Sequence, residues 1–198
     1  MTTDNSAQNS PPRIVKNVVI TNDTIHLYKD KDSMNLTTTI FKNCILNGVA
    51  LYELYATVFE NCLIVDCCVH HIMTCKFKKT IIHQCQIEEI YDSAFQFSSL
   101  IECNLRKTDF FWTDFVGCKF FELCLQSTMF SKCTFKLCLA DWESYKDTFV
   151  MISGFIKIWQ DNNWITIESK LEDIDGKTTN WLEFLRLHGV KIDQDRTE

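Results

Sequence analysis

Two adjacent histidines mark the stretch of this sequence with the most potential for chemistry. Cys67, Cys68, His70, His71 and Cys75 lie close together in the chain, and thiolate and imidazole groups are the ligands that zinc prefers in proteins. A structural zinc site also needs a second pair of ligands at CxxC or CxxH spacing, and no such pair completes a tetrahedral set here. The sequence therefore predicts no metal and no cofactor.

The two histidines could instead take part in proton transfer. Given the 18-residue repeat of the chain, His71 is expected between Glu53 and Glu89 in one surface column. The neighbouring column is expected to hold Tyr52, His70 and Glu88. A histidine between two carboxylates could shuttle protons, or the residues could form a ladder of alternating charges. The ladder is favoured, because a convex surface offers no pocket that excludes water.

Motifs of known catalytic sites are missing from the sequence. It contains no GxSxG, P-loop, GxGxxG or HExxH motif, and these motifs carry the nucleophiles, phosphate cradles and metal ligands of many enzymes. Cys68 and Cys124 are expected to be exposed thiols, but a catalytic cysteine needs a nearby base and a cleft. The sequence therefore predicts a protein that is not an enzyme.

Composition and charge narrow the class of protein further. The chain has 198 residues, of which 46% are hydrophobic, and a net charge of −6. This apolar fraction can build a core, whereas direct binding of nucleic acid needs a basic face. The sequence shows no secretory signal and no apolar run of about 18 residues, the length of a membrane span. We expect a cytoplasmic globular protein that contacts neither membrane nor nucleic acid directly.

A repeat organises the central part of the chain. Apolar residues recur with a period of 18 residues from Phe41 to Leu105, and every five residues from Phe95 to Phe135. Both parts follow one rule if four apolar residues make one coil and each early coil has one short step. The short steps end at Leu54, Ile72 and Ile90. At these points we expect a tight corner.

Small residues occupy the position two before most of these apolar residues. Residues two apart in a strand point to the same side, so each inward face would hold one small and one large side chain. This combination fills a narrow tube at native packing density. Nine of the eleven cysteines are in the small position, and a buried cysteine behaves as a small hydrophobe. We therefore interpret these nine as packing residues.

The repeats resemble those of the pentapeptide-repeat family, whose units read small residue, Asp or Asn, Leu or Phe, and two variable residues. The closest matches are CNLRK at 103–107, TDFFW at 108–112, TDFVG at 113–117, CKFFE at 118–122 and CTFKL at 133–137. The resemblance implies an all-β fold, a right-handed, four-sided parallel β-helix with one coil per four repeats. With it we expect a small C-terminal β-hairpin and a helix.

The segments outside the repeats are expected to cap the solenoid, because strand edges at its two ends would otherwise promote association. The expected divisions are a disordered N-terminus at 1–13, an N-terminal cap at 14–35, the pentapeptide-repeat β-helix at 36–147, a C-terminal cap at 148–192 and a disordered tail at 193–198. Residues 148–167 are predicted to form two strands around an Asp-Asn-Asn turn. Residues 178–188 are predicted to form a helix that begins at Thr178 or Thr179.

An aromatic series follows the short step of successive coils. Tyr55, Met73, Tyr91 and Phe111 share this position, and Trp112 is next to Phe111. We expect all five to face outward, and exposed aromatic and methionine side chains are the anchors that protein interfaces use. The sequence predicts either a partner-binding face or a face covered by the N-terminal segment or the C-terminal tail.

The C-terminal tail suggests a function by resemblance. The segment WLEFLRLHGVKI at 181–192 is similar to the ending of the quinolone-resistance (Qnr-type) and gyrase-poison immunity members of the family. This similarity implies a homodimer through Trp181, Leu182 and Leu185. It also implies a protein partner, DNA gyrase or topoisomerase IV, that the chain protects from a poison. The alternative is a scaffold or regulatory protein that binds another protein through the aromatic series.

Overall fold

The structure, a computed structural model, describes residues 11–29, 34–141, 149–160, 163–169 and 179–180. These residues are almost entirely β, apart from turns and one 3-10 turn at Ile25–Leu27. None of the described residues belongs to a helix with the length and hydrophobicity that a membrane crossing requires. The strands wind into a solenoid of about six turns, which confirms the predicted parallel β-helix.

Short strands separated by corners make up each coil. In chain order the strands are β1 (Arg13–Lys16), β2 (Val19–Ile20), β3 (Asn35–Thr37), β4 (Thr39–Lys42), β5 (Ile45–Asn47), β6 (Ala50–Tyr55), β7 (Val58–Glu60), β8 (Leu63–Val65), β9 (Cys68–Met73), β10 (Lys76–Lys78), β11 (Ile81–His83), β12 (Gln86–Tyr91), β13 (Ala94–Gln96), β14 (Ser99–Ile101), β15 (Asp109–Phe111), β16 (Asp114–Val116), β17 (Lys119–Phe121), β18 (Met129–Asp141), β19 (Phe149–Gln160), β20 (Asn163–Ser169) and β21 (Thr179–Asn180).

Four faces of the solenoid can be numbered by the apolar residue that each turns inward. Within one coil, face 1 holds Phe41, face 2 Leu46, face 3 Leu51 and face 4 Leu54, and all four residues are buried. Strands on the same face of successive coils pair in parallel, as β4 pairs with β7. Identical positions of successive coils therefore form columns, inside and outside the tube, at about 4.8 Å per coil.

Early and late coils differ at one corner. The early coils turn through residues with left-handed φ, such as Asn43 (54°) and Asn61 (57°), but none lies between faces 3 and 4. One six-residue strand, β6, spans those two faces, and Leu51 and Leu54 are both buried only three residues apart. This is the tight corner that the short step predicts. Later coils add a left-handed residue there, Lys107 with φ 62°.

The small inward residues satisfy polar groups inside the tube. The Cys62 thiol lies within 3.4 Å of two acceptors, the carbonyl oxygens of Glu60 and of Phe41 in the preceding coil. Such bonds matter because a buried carbonyl without a donor is costly. Burial raises the pKa of the Cys75 and Cys133 thiols to about 12, which keeps them protonated. The predicted packing role of nine cysteines is confirmed, since all nine are buried.

Both ends of the described solenoid are built from additional strands. At the N-terminal end, β1 and β2 pair in parallel with β4 and β5 and form a first partial coil. At the other end, β19 continues the parallel ladder on β18, and β20 returns antiparallel to β19. The two predicted strands around the Asp-Asn-Asn turn are thus present, although the first of them extends the solenoid instead of lying across its end.

The expected start of the C-terminal helix is wrong. Thr179, a candidate N-cap, forms the strand β21 with Asn180, and β21 pairs antiparallel with Phe149 and Val150 of β19. The backbone edge of β19 offers hydrogen bonds there, and an exposed edge readily accepts another strand. The rest of the predicted helix lies outside the described residues, with Trp181, Leu182 and Leu185. Of the termini predicted to be disordered at 1–13 and 193–198, residues 1–10 and 193–198 also lie outside them, whereas Arg13 begins the strand β1.

Candidate protein-binding face

The aromatic series forms one outward column on face 4. The strand register places Tyr55 beside Met73, Met73 beside Tyr91, and Tyr91 beside Phe111. Four consecutive coils therefore present an aromatic or methionine side chain at the same position, over about 14 Å along the rod. We call these four residues and Trp112 the aromatic column.

The side chains of the aromatic column are held in place but remain accessible. Tyr55 is 43% exposed and Trp112 48% exposed, whereas Met73, Tyr91 and Phe111 are half-buried. Apart from Trp112, each member of the column directly follows a buried strand residue, so the coil fixes the position of its backbone. Half-buried aromatic side chains on a rigid backbone lose little entropy when a partner covers them, which suits interface anchors.

Trp112 extends the column around the corner from face 4 to face 1. Its backbone has φ 46°, and its ring meets the Tyr91 ring edge-on, with centroids 5.1 Å apart. The Lys132 ammonium lies 5.0 Å from the Trp112 ring centroid, and the Tyr91 and Phe111 centroids are 6.5 Å apart. These contacts lock the end of the column into one rigid aromatic cluster.

A mostly acidic column borders the aromatic column on face 4. Its members are Glu53, His71, Glu89 and Asp109, in register on successive coils. The His71 Nδ1 atom is 2.8 Å from Glu89 Oε2, but the next neighbour of Glu89 is the carboxylate of Asp109. Burial, and secondly repulsion by Glu89, raises the pKa of Asp109. The binding face thus has an apolar centre and a polar, negatively charged edge.

The second histidine column contains one histidine–carboxylate pair. His70 Nδ1 lies 2.8 Å from Glu88 Oε2, and the Tyr52 ring packs 5.7 Å from the His70 ring. Both histidine pairs are on the outer surface, whereas Cys67 and Cys75 are buried inside the tube. Consequently no group of three or more His, Cys, Asp or Glu within the described residues is arranged to hold a metal ion.

The two cysteines outside the packing column differ in exposure. Cys124 is exposed, as predicted, whereas Cys68 is only partly so. Both precede a buried residue of face 3, in the outward column that begins at Ala50 and includes Gln86. Within the described part of this column the neighbours of the two thiols are Ala50, Gln86 and Asn104, and none of these side chains is a base.

Sequence reasoning missed a second apolar column, on face 2. Its members are Val19, Ile45, Leu63 and Ile81, in register on the first four coils. Beside the column is a shallow groove of about 300 Å³ lined by Asn43, Asn61 and Lys79 as well as by the aliphatic residues. The pattern that predicts this column is present in the sequence, because each of these residues directly precedes an inward apolar residue of face 2.

No protein-family model and no curated protein matches the chain. Among solved structures it is similar to a trypsin-treated variant of QnrB1, a plasmid-mediated fluoroquinolone resistance protein, with 13% identity and a TM-score of 0.28 over 66% of this chain and 80% of that chain. A second trypsin-treated QnrB1 variant has 9% identity and a TM-score of 0.30 over 72% of this chain and 91% of that chain. Full-length QnrB1 has 9% identity and a TM-score of 0.25 over 71% of this chain and 93% of that chain. It is the strand register of this chain that shows the four-sided solenoid.

Proposed function

We propose that this chain is a non-catalytic rod that binds another protein through its aromatic column. The observation that carries the proposal is the register of Tyr55, Met73, Tyr91 and Phe111, which lines up four interface-type side chains on consecutive coils. A surface residue of a solenoid is free to vary without harm to the core. Repetition of one side-chain class at one outward position therefore supports a common binding role.

The size of the face suits a protein partner better than a small molecule. Small-molecule sites are concave and bury most of the ligand, whereas this face is the outer side of a rod. A specific protein interface buries about 800 Å² on each partner, with an apolar centre and a polar rim. The aromatic column would supply the centre, and Glu53, Glu89 and Asp109 would supply part of the rim.

The test removes two neighbouring anchors, whose ring centroids are 6.5 Å apart, and asks whether binding survives. The double variant Tyr91→Ser/Phe111→Ser should lose a partner that the wild-type chain captures from its native cell extract, because interface anchors of this kind contribute about 2 kcal/mol or more each. The matched control is Phe97→Ser/Leu137→Ser, which removes two exposed apolar side chains from the corner between faces 1 and 2.

Capture must be lost in the face 4 variant and kept in the corner variant, with both variants retaining the wild-type circular dichroism spectrum. Unchanged capture by Tyr91→Ser/Phe111→Ser would refute the aromatic column as the binding site. If a terminal segment of the chain covers the column instead, a chain truncated after residue 180 should gain binding that the full chain lacks.

A second candidate function is protection of a type II topoisomerase from a poison. It is supported by the similarity of residues 181–192 to the ending of Qnr-type and gyrase-poison immunity proteins. Under this proposal Trp181, Leu182 and Leu185 form a two-fold interface, and the target enzyme is a cytoplasmic protein, in the compartment where we expect this chain.

The topoisomerase proposal is tested by gyrase supercoiling in the presence of a quinolone, with and without the purified chain. Protection should rise with the dose of the chain and should fall in a Leu182→Asp/Leu185→Asp variant that sediments as a monomer. Absence of protection at every dose would remove this candidate and would leave the aromatic-column proposal intact.

A further inference from the structure

The aliphatic column on face 2 is a second exposed apolar surface, on a different side of the rod from the aromatic column. Val19 is 58% exposed and Ile81 45% exposed, and Ile45 and Leu63 connect them in register. The column ends at the next coil, where Ser99 takes the same position. It is therefore a bounded stripe of four aliphatic residues, about 14 Å long.

A rigid polar wall borders this stripe. The Asn61 side-chain amide donates to Asn43 Oδ1 at 2.9 Å, and the Asn43 amide donates to Asn17 Oδ1 at 3.2 Å. These asparagines have left-handed φ between 54° and 57°, a conformation that asparagine tolerates better than most residues. Lys79 follows in the same column, and together with Asn43 and Asn61 it forms one side of the groove.

Beyond that wall the rod is positively charged. The lysines on face 1 and its corner over the first four coils are Lys16, Lys42, Lys76, Lys78 and Lys79. Glu60 lies among them, 2.6 Å from the Lys42 ammonium and 3.7 Å from the Lys78 ammonium. The pKa of the Glu60 carboxyl is lowered, mainly by its hydrogen bond and ion pair with Lys42. One carboxylate among five ammonium groups leaves an excess of positive charge on this flank.

The opposite flank of the stripe is different. The column after the inward residues of face 2 holds Thr21, Asn47, Val65 and His83. The His83 Nε2 atom lies 3.3 Å from Glu102 Oε1, so this flank has no comparable excess of positive charge among the described residues. A ligand of the groove would therefore meet cations on one side only.

The spacing of the stripe matches an α-helix better than an extended strand. Successive coils are about 4.8 Å apart, and one turn of an α-helix rises about 5.4 Å. Residues on one side of an extended strand are about 6.8 Å apart, so they would drift from the column by about 2 Å at each step. Apolar residues on successive turns of a helix stay close to it over the whole stripe.

We propose that the face 2 groove binds an amphipathic α-helix of a partner protein, whose aliphatic stripe covers Val19, Ile45, Leu63 and Ile81 and whose acidic residues face the lysine flank. Charge complementarity across such an interface sets the orientation of the helix and speeds association. The groove and the aromatic column use different faces, so this binding does not depend on the function proposed for face 4.

A designed probe tests this proposal without knowledge of the partner. The probe is a fluorescein-labelled, helix-stabilised peptide of about five turns, with leucine at the i, i+3/i+4 and i+7 positions and glutamate along one flank. The control peptide replaces each glutamate by lysine. Anisotropy titrations with the full chain should give saturable binding of the acidic peptide, at least about ten-fold tighter than the lysine peptide and weakened by salt.

Variants of the chain locate the binding. Ile81→Lys and, separately, Ile45→Lys should abolish binding of the acidic peptide, and Lys78→Glu/Lys79→Glu should remove the preference between the two peptides. Lys136→Glu, on face 1 of a later coil, and Tyr91→Ser/Phe111→Ser should leave both affinities unchanged. All variants should keep the wild-type melting temperature to within a few degrees, since the replaced side chains point outward.

Equal affinity for the two peptides, or full binding by both Ile81→Lys and Ile45→Lys, would overturn the proposal. A different occupant would also be revealed by sedimentation. If the wild-type chain is a dimer that Ile81→Lys converts to a monomer, a second copy of the chain covers the stripe and the partner helix is excluded.

Discussion

The early and late coils of this rod enclose their cores in different ways. In an early coil, face 1 carries phenylalanine, Phe59 or Phe77, while the other faces carry leucine, isoleucine or valine. In the later coils phenylalanine also fills face 2 with Phe120 and face 4 with Phe110. These later coils are two residues longer and have the extra left-handed corner at Lys107.

The difference teaches that coil length and core volume are matched. An interior packs at nearly constant density, so a tube with a shorter perimeter holds fewer rings, and the short step brings two inward residues together within one strand. Leu54 and Ile72 fit that tighter corner. The additional rings of the later coils need the longer perimeter, which the fourth corner provides.

The largest effect should come from removal of a ring in the later coils. Phe115 stacks on Phe95 at 5.0 Å and on Phe135 at 4.8 Å. The rings beside it are those of Phe110, Phe120 and Phe130. Phe115→Ala should lower the free energy of unfolding by about 3–5 kcal/mol, measured by urea denaturation.

The matched variant in the early coils is Phe77→Ala. Phe77 stacks on Phe59 at 5.2 Å and on Phe95 at 4.5 Å, but its coil has aliphatic residues on the other faces. Phe77→Ala should therefore lower the free energy of unfolding by about 1 kcal/mol less than Phe115→Ala does, because Phe77 lacks the lateral aromatic pairs. An equal or larger loss from Phe77→Ala would contradict the link between coil length and aromatic packing.

A smaller effect, of opposite sign, should come from the corners. Leu137 has φ 55° and is 65% exposed, so Leu137→Gly should relieve backbone strain and stabilise the rod by about 1 kcal/mol. Asn61→Gly in an early coil should be neutral or destabilising, because asparagine tolerates this φ and its amide bonds Asn43. Thermal melts of the two variants measure the contrast, and a matching gain from Asn61→Gly would show that the hydrogen bond from Asn61 to Asn43 contributes nothing to stability.

The smallest effect concerns the acidic edge where the two kinds of coil meet. The pKa of Asp109 is raised above its ordinary value of 3.8, so the folded chain binds this proton more tightly than the unfolded chain does. The charged carboxylate of Asp109 therefore destabilises the folded chain at pH values above the raised pKa, and this destabilisation is absent at pH values below the ordinary pKa. Asp109→Asn should therefore stabilise the chain at pH 7, by less than about 0.5 kcal/mol after solvent screening, and not at all near pH 3.

The control for that prediction is Asp114→Asn on face 1, whose neighbours in the register, Ala94 and Thr134, are uncharged. It should give no comparable gain in melting temperature at pH 7. A stabilisation by Asp109→Asn that persists unchanged at pH 3 would show that the gain has a cause other than the charge of Asp109.

The sequence predicted the inside of this molecule better than its ends. The repeat of Phe41 and Phe59, with small residues two before them, determines which side chains enter the tube, so the columns and the aromatic face follow directly. The first partial coil escaped prediction because Val15 pairs with Phe41 across 26 residues, a spacing outside the period. The pairing of Thr179 with Val150 escaped because it depends on a free strand edge.

The binding faces were predictable only in part, for a physical reason. The aromatic column was found because aromatic residues at one outward position are conspicuous in a polar surface. The aliphatic column was overlooked because valine, isoleucine and leucine are also ordinary strand formers. The proposed binding role of the aliphatic column depends on the exposure of its side chains and on the lysines beside it, and both are known only once the coils are stacked.

Both proposed faces depend on the central claim that each coil turns its small residues inward, because that register decides what points outward. Quantitative thiol labelling of the native chain under reducing conditions tests it most directly. We predict rapid labelling of Cys124, slower labelling of Cys68, and protection of the nine buried cysteines until the chain is unfolded, when all eleven react. Rapid labelling of most thiols in the native chain would contradict the account.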